Sequence, residues 1–211
     1  MKRLLEGYQR FRANIWPQQS KVFESLADVG QSPLALVVTC VDSRVDPAMI
    51  FDAGPGEMLT VRNVANLVPP YAPDAAYHGT SAALEFGVRV LGVAHVIVLG
   101  HASCGGVRAL LEGAPLEAHE FVEPWMSIAR TARDLAESHP AVAERQQICE
   151  QEVIKVSLAN LMTFPWIADG VAARTLKLHG SWFDIRTGVL MILQPNGSFA
   201  PAETALAKLV D

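Results

Sequence analysis

The chain has 211 residues, of which half are hydrophobic and 18% are charged. This composition is typical of a compact globular protein, so we expect a single domain over residues 1–211. The formal net charge is −5 and the 17 Lys and Arg form no basic stripe, which argues against a nucleic-acid partner. No apolar run approaches the roughly 20 residues of a membrane span, and Met1-Lys2-Arg3 leads into a polar amphipathic stretch rather than a secretory signal. The sequence therefore predicts a cytoplasmic protein without a membrane partner.

Residues 1–28 are predicted to form an N-terminal helical arm. Apolar side chains recur at helical spacings between residues 3 and 26, and Pro17 predicts a kink or break between two helices. An arm of this kind either covers its own sheet or packs on a partner subunit, and the pattern alone leaves both alternatives open.

The rest of the chain alternates short apolar runs with helical patterns, which predicts an α/β fold. The predicted strands are residues 34–40, 58–62, 95–100, 175–183 and 189–194. One predicted helix begins at Pro47, behind a capping Asp46, and another begins at Gly105, just after Cys104. The others cover residues 80–91, 115–140, 142–162 and 204–210. The early strands are apolar throughout and fit a mostly parallel sheet flanked by helices. The short turn at Thr187-Gly188 makes the last two strands an antiparallel hairpin at a sheet edge.

Two clusters of reactive side chains follow two of these apolar strands. Cys40, Asp42 and Arg44 close the first strand, and His101 and Cys104 follow the third. Open α/β sheets place their ligand sites at the carboxyl ends of the strands, so clusters far apart in sequence can meet in one crevice. We expect these five side chains to form one site.

The residue types in this site suit Zn²⁺, which prefers thiolate and imidazole ligands in tetrahedral geometry. Cys40, His101 and Cys104 would supply three ligands and leave a fourth position, as in catalytic zinc sites. Asp42 could fill that position, or Arg44 could hold Asp42 away by a bidentate ion pair and leave the position to water. In the second case zinc would lower the pKa of its water toward about 7, and Asp42 would orient the resulting hydroxide.

Other interpretations of these residues have less support. Three cysteines are an odd number, which favours metal or catalytic thiols over a disulfide framework. Cys149 lies in a helical pattern without a nearby partner and is predicted to be a core residue. No Walker loop or dinucleotide-binding fingerprint is present. Each His or Cys alone could be a plain core residue, and their joint position at strand ends is what favours a site.

Several motifs extend this pattern over nearly the whole chain. They are Gly30-Gln31-Ser32-Pro33, Cys40-x-Asp42-Ser43-Arg44, Pro55-Gly56-Glu57, Arg62-Asn63-Val64-Ala65-Asn66, Gly100-His101-x-x-Cys104-Gly105-Gly106 and His179-Gly180. Together they resemble the β-class carbonic anhydrases. The resemblance implies one zinc per chain on Cys40, His101 and Cys104, with an Asp42–Arg44 dyad beside the zinc-bound water. It also implies a mostly parallel sheet of four strands with a fifth at the edge, and a homodimer or homotetramer whose N-terminal helices clasp the partner.

The resemblance indicates a subtype as well. Members regulated by bicarbonate carry a Trp three residues before the first ligand, where this chain has Val37, although Arg62 is retained. The plant-like, open-site members carry a Gln nine residues before that ligand, and Gln31 matches it. Its amide is expected to bind substrate or product from the neighbouring subunit, unless Gln31 is an ordinary turn residue.

The rest of the substrate-binding pocket is also implied by the resemblance. The expected lining residues are Leu59, Val64, Phe86 and Gly105. Leu59 and Phe86 stand where the plant-like pattern has Phe and Tyr, so the pocket loses a phenol hydroxyl and becomes drier.

The predicted function is a carbonate dehydratase, a lyase in which zinc-bound hydroxide attacks CO2 to give bicarbonate and a proton. Two alternatives remain open. One is a carbonyl sulfide or carbon disulfide hydrolase with the same zinc centre, and the other is a non-catalytic structural zinc protein with Asp42 as a permanent ligand. His78 is a candidate proton acceptor only because it is a His in a loop, and a solvated surface residue is the simpler interpretation.

Overall fold

The structure is a computed structural model that describes residues 1–207. Its centre is one six-stranded sheet with the order β2-β1-β3-β4-β5-β6. The strands are β1 (Ala35–Cys40), β2 (Met58–Asn63), β3 (His95–His101), β4 (Lys177–Phe183), β5 (Leu190–Leu193) and β6 (Phe199–Pro201). The first four strands run parallel, whereas β5 and β6 are antiparallel additions at one side. This confirms the predicted α/β fold with a mostly parallel sheet.

The helices surround this sheet. They are α1 (Lys2–Arg10), α2 (Trp16–Val29), α3 (Pro47–Ile50), α4 (Gly79–Glu85), α5 (Gly105–Glu112), α6 (Val122–Met126), α7 (Arg130–Ser138), α8 (Arg145–Leu161), α9 (Pro165–Ala172) and α10 (Ala202–Ala207). The predicted cap of α3 is confirmed, because Asp46 Oδ1 accepts a hydrogen bond of 2.9 Å from the backbone N–H of Ala48. The predicted last helix begins two residues earlier than expected, and its positions 208–210 lie outside the described residues.

Four segments outside the arm differ from the sequence prediction, and one of them is residues 80–91, which form α4 followed by a π-helical segment at Phe86–Val90. Strand β6 and helix α9 were not predicted: β6 has three residues and ends in Pro201, and α9 has eight, which is too short for a clear period. The pattern over residues 115–140 forms α6, α7 and short 3₁₀ turns rather than one helix. A Pro inside α6 removes a backbone donor there, in agreement with the interruption.

The N-terminal arm is helical, as predicted, but its interruption is a π-helical segment at Phe11–Ile15. Pro17 lies in the first turn of α2, where its missing N–H is tolerated. Neither α1 nor α2 buries a single residue in this chain. In the part of the chain that the structure describes, no helix combines the length and the apolar character that crossing a membrane would need.

Helix α8 packs directly on the middle of the sheet. A Cβ built on Gly100 in β3 would lie 2.8 Å from Ile154 Cδ1, and one built on Gly180 in β4 would lie 2.9 Å from Ile154 Cγ2. The two glycines therefore allow the close approach of this helix. The contact fixes α8 beside the carboxyl end of β3, where the predicted site begins.

Candidate metal centre

Two neighbouring parallel strands and one helix bring the three predicted ligands together. Cys40 is the last residue of β1, His101 is the last residue of β3, and Cys104 is the N-cap of α5. The two Sγ atoms are 3.9 Å apart, and all three candidate ligand atoms lie within 4.8 Å of one another. All three residues are buried. The group is therefore an arrangement that could hold a metal ion.

The orientation of His101 fits a metal ligand. Its Nδ1 lies 2.9 Å from the carbonyl oxygen of Ala102, a contact that requires Nδ1 to carry the proton. Its Nε2 is buried and has no hydrogen-bond partner. A buried nitrogen without a partner costs free energy, and an imidazole with a hydrogen-bonded N–H and a free lone pair is the usual form of a metal-bound His.

The pKa values of the Cys40 and Cys104 thiols are shifted in opposite directions. A hydrogen bond from Cys104 lowers the pKa of Cys40, while the same bond and burial raise the pKa of Cys104. Backbone groups of Gly106 and Val107, at the start of α5, oppose the rise at Cys104. A helix N-terminus stabilises a thiolate, which is the form that ligates metals.

Asp42 and Arg44 form the ion pair that the sequence predicts. Arg44 donates from Nε to Asp42 Oδ1 over 2.9 Å and from Nη2 to Asp42 Oδ2 over 2.7 Å, so the pairing is bidentate. The same Nη2 also donates to the carbonyl oxygen of Ser103 over 3.1 Å. Asp42 Oδ2 lies 3.9 Å from His101 Nε2, so the carboxylate is beside the candidate metal centre. Asp42 is not one of the three candidate ligands that lie within 4.8 Å of one another. The guanidinium of Arg44 holds the pKa of Asp42 well below its usual range.

Arg62 ties the loop after β1 to the neighbouring strand β2. Its guanidinium donates to the carbonyl oxygens of Cys40 (3.0 Å), Asp42 (2.6 Å) and Val45 (2.8 Å). Three bonds to consecutive parts of one loop fix the path of the backbone that carries Cys40 and Asp42. The sequence offered Arg62 only as part of a motif, because the carbonyl groups that it binds carry no sequence signal.

Val64 and Gly105 lie close to the candidate metal centre. A Cβ on Gly106 would be 2.7 Å from Val64 Cγ1, so Val64 packs against the start of α5. Gly105 faces open space, since nothing lies within 4 Å of a Cβ built there. Trp125 holds this region by donating its indole N–H to the carbonyl oxygen of Val64 over 2.8 Å.

The other predicted pocket residues are not brought to the metal centre of the same chain. Leu59 pairs with Leu36, whereas Cys40 pairs with Asn63. Leu59 is thus four residues before Asn63, a distance of about 13 Å along β2. Phe86 is 49% exposed and precedes Gly87, where an added Cβ would lie 3.2 Å from Leu59 Cδ1. Gln31 is also exposed, in the loop before β1.

His78 lines a cavity of about 590 Å³ together with Val64, and none of the three candidate ligands lines it. Its ring Nε2 is 2.6 Å from Asp74 Oδ1. Cys149 is fully buried, as predicted for a core residue.

Glu150 is a buried carboxylate beneath the centre that the sequence analysis did not single out. It is 3% exposed and accepts a hydrogen bond of 2.9 Å from the backbone N–H of Cys104. Burial raises the pKa of Glu150, and hydrogen bonds from Gln146, Cys104 and Trp182 oppose the rise. In sequence it is one of two acidic residues on α8, and Trp182 follows it by 32 positions, so no local pattern marks it.

The fold and the site together define an α/β protein with a buried Cys, His and Cys group at the carboxyl ends of parallel strands. A family model described as carbonic anhydrase matches residues 35–190. A carbonic anhydrase of Pseudomonas aeruginosa is 37% identical over 190 residues, which cover 89% of this chain and 85% of that protein.

Solved structures agree. The β-carbonic anhydrase CcaA has a TM-score of 0.87 at 31% identity, over 95% of this chain and 91% of that one. A tetrameric β-carbonic anhydrase of Sordaria macrospora has a TM-score of 0.80 at 28% identity, over 94% and 98%. The Coccomyxa enzyme in complex with acetazolamide has a TM-score of 0.76 at 28% identity, over 90% and 84%.

The chain belongs to the carbonic anhydrase family, and within it to the β class. It is accordingly a lyase of the class that hydrates CO2.

Proposed function

We propose that this chain binds one zinc ion through Cys40, His101 and Cys104 and uses it to interconvert CO2 with bicarbonate and a proton. The observation that carries the proposal is the buried Nε2 of His101, which has no hydrogen-bond partner and lies with the two thiol sulfurs within 4.8 Å. Two soft sulfurs and one imidazole are a donor set that suits zinc and leaves a fourth position for chemistry.

Zinc, when bound by Cys40, His101 and Cys104, would lower the pKa of water at its fourth position and so make a nucleophile available at neutral pH. Asp42 would accept a hydrogen bond from that nucleophile and orient it toward the carbon of CO2. Arg44 keeps both carboxylate oxygens engaged, which prevents Asp42 from turning to the metal and supports an open site of the plant-like kind. Arg62 holds the loop that carries this pair.

We further propose that a second copy of the chain completes the substrate pocket. Val64 and Gly105 line it from the chain that holds the metal. Leu59 lies about 13 Å along β2 from Asn63, which pairs with Cys40, and Phe86 lies near Leu59. We therefore assign both residues, together with Gln31, to the pocket of another copy. A homodimer or homotetramer follows from this division.

Stopped-flow CO2 hydration on protein of known zinc content tests the proposal, with carbonyl sulfide and carbon disulfide hydrolysis assayed beside it. We expect fast hydration with about one zinc per chain, and loss of activity and zinc together in Cys104→Ser. Negligible hydration with rapid turnover of carbonyl sulfide or carbon disulfide would assign the centre to the hydrolases. Zinc without any turnover would indicate a structural site.

A further inference from the structure

The least expected charge in the structure is the carboxylate of Glu150, on the face of α8 that packs on the sheet. Glu150 precedes Ile154 by four residues, so the two side chains share one helix face. On that face, Ile154 packs against β3 and β4, and Glu150 bonds to the turn between His101 and Cys104.

Both oxygens of Glu150 accept N–H groups. Oε1 accepts the backbone N–H of Cys104 (2.9 Å) and an amide N–H of Gln146 (2.7 Å), and Oε2 accepts the indole N–H of Trp182 (3.1 Å). The same Gln146 nitrogen also donates to the carbonyl oxygen of Cys104 over 3.1 Å. Both backbone polar groups of Cys104 are therefore bonded to α8.

We propose that Glu150 is a positioning residue for the metal centre, which sets the direction of the Cys104 sulfur by holding the backbone N–H of Cys104. The inference rests on the proposed function, because it assumes that Cys40, His101 and Cys104 bind zinc. Glu150 bonds to the backbone of Cys104 rather than to a ligand atom, so its hydrogen bonds act on the metal centre through Cys104.

The turn that carries Cys104 needs such support. Ser103 has a φ of 57°, in the left-handed region that most residues other than Gly and Asn rarely adopt. Cys104 begins α5 as its N-cap, yet its side chain makes no capping hydrogen bond. Arg44 holds the turn from one side through the carbonyl oxygen of Ser103, and Glu150 holds it from the other side through the next N–H. Residues that hydrogen-bond a ligand residue and fix its orientation increase the affinity of the site for the metal.

A carboxylate is required at this position because all three of its partners are donors. An amide of the same shape keeps one acceptor oxygen, and its NH2 group would face the N–H of either Cys104 or Trp182. The substitution Glu150→Gln therefore loosens the Cys104 backbone or repels the indole, although it changes the side-chain volume little.

Zinc affinity, measured by competition with a chromophoric chelator, tests this inference without using activity. We expect Glu150→Gln to raise the zinc Kd by about 10- to 100-fold and to shift the sulfur-to-cobalt charge-transfer band of the Co²⁺-loaded protein. Glu152→Gln is the matched control, because it makes the same change two residues along α8, where the carboxylate pairs with Lys155 over 2.6 Å. It should leave both readouts at their wild-type values.

A double-mutant cycle separates positioning from general stability. In Trp182→Phe the indole donor is gone while the bond to Cys104 stays, so we expect a smaller loss of zinc affinity than in Glu150→Gln. In the double variant the amide NH2 no longer meets an opposing donor and its oxygen can accept from Cys104, so affinity should recover at least threefold relative to Glu150→Gln. Should Glu150→Gln fail to fold, Gln146→Ala tests the same network at a half-buried position and should weaken zinc binding roughly three- to tenfold.

Two results would overturn the inference: a zinc Kd for Glu150→Gln within threefold of wild type, or no recovery in the double variant. For Gln146→Ala the corresponding result is a Kd within twofold of wild type. Failure of the proposed zinc site gives a different pattern, because wild-type protein would then bind no zinc at all, or bind it equally well after Cys104→Ser. Failure of the proposed activity alone would show as zinc bound by wild type without CO2 turnover, and the affinity test of Glu150 would still apply.

Discussion

At the scale of single residues, the proposed zinc chemistry depends on where Asp42 directs its carboxylate. A carboxylate this close to a metal site is a competent ligand, yet Arg44 engages both of its oxygens over 2.9 and 2.7 Å. The same pairing lowers the pKa of Asp42, so its carboxyl group is ionised at neutral pH. The stability that this pair contributes is present above the unfolded pKa of about 3.9 and is lost as pH falls through the lower folded pKa.

Arg44→Ala tests this role directly. Without the guanidinium, Asp42 is free to turn toward the metal and close its fourth position, so CO2 hydration should fall by on the order of 10²-fold or more while the zinc content stays near one per chain. Stopped-flow hydration and zinc analysis on the same preparation measure both quantities. Arg89→Ala, which removes an exposed guanidinium paired with Glu85, serves as the control and should keep full activity. Turnover in Arg44→Ala equal to that of the control would rule out the dyad.

The contacts of Cys40, His101, Cys104, Asp42 and Arg44 could largely be anticipated from the sequence. Two apolar strands of a parallel sheet must end on the same side, and a two-residue spacing allows an Asp and an Arg to pair. What supports these residues could not be anticipated. Arg62 binds backbone carbonyl groups, and Glu150 meets its partners across three separate elements, so neither contact leaves a local pattern.

At the scale of elements, the strands were predictable where they are apolar and long enough to show a period. β1, β3 and the hairpin of β4 and β5 follow this rule. β6 and α9 do not, because three residues ending in Pro and eight residues between loops are too short for a periodic signal. The arm shows a different limit: a π-helical segment changes the phase of the helix without any Gly or Pro inside it.

The pairing of β3 with β4 contains a pH-sensitive contact, at the end of the sheet opposite the metal centre. His95 Nδ1 and His179 Nε2 are 3.0 Å apart, so one ring donates to the other. Burial, with His95 and Lys177 nearby, lowers the pKa of His179. The folded protein thus binds a proton less readily than the unfolded chain does. Its stability should be full above the unfolded pKa of about 6.5 and should fall as pH drops toward the folded pKa.

Urea unfolding at pH 7.5 and 5.5 measures this effect. We expect the loss of unfolding free energy on acidification to be smaller in His179→Gln than in wild type, because the variant has no imidazole to protonate at that position. His119→Gln, at a largely exposed position, should behave like wild type. An equal loss in wild type and His179→Gln would contradict the assignment.

At the scale of the whole molecule, two features of the chain fit the proposal that a second copy completes the pocket. Its arm exposes Leu4, Leu5, Tyr8 and Ile15 and buries none of its residues. Its predicted pocket residues Gln31, Leu59 and Phe86 lie away from its own metal centre. A second copy accounts for both features if the arm packs on that copy while the pocket residues reach its site. The sequence left the alternative that the arm covers its own sheet, and the exposure of α1 disfavours it.

Sedimentation velocity on arm variants tests the assembly. Leu4→Glu combined with Tyr8→Glu places two charges on the exposed apolar stripe, so the protein should dissociate to smaller species at concentrations where wild type is a dimer or tetramer. Glu6→Lys changes the charge by the same magnitude on the opposite face of α1 from Leu4 and Tyr8, and it should leave the sedimentation coefficient unchanged. If the double variant sediments like wild type, the arm does not hold the assembly together.

The most direct test of the account is the crystal structure of zinc-loaded protein with anomalous data at the zinc edge. The account predicts one zinc peak per chain, about 2.3 Å from the sulfurs of Cys40 and Cys104 and about 2.0 to 2.1 Å from Nε2 of His101. Asp42 should remain on Arg44, with a fourth position open to solvent. Zinc bound elsewhere, or Asp42 ligating it at neutral pH while Arg44 points away, would contradict the account.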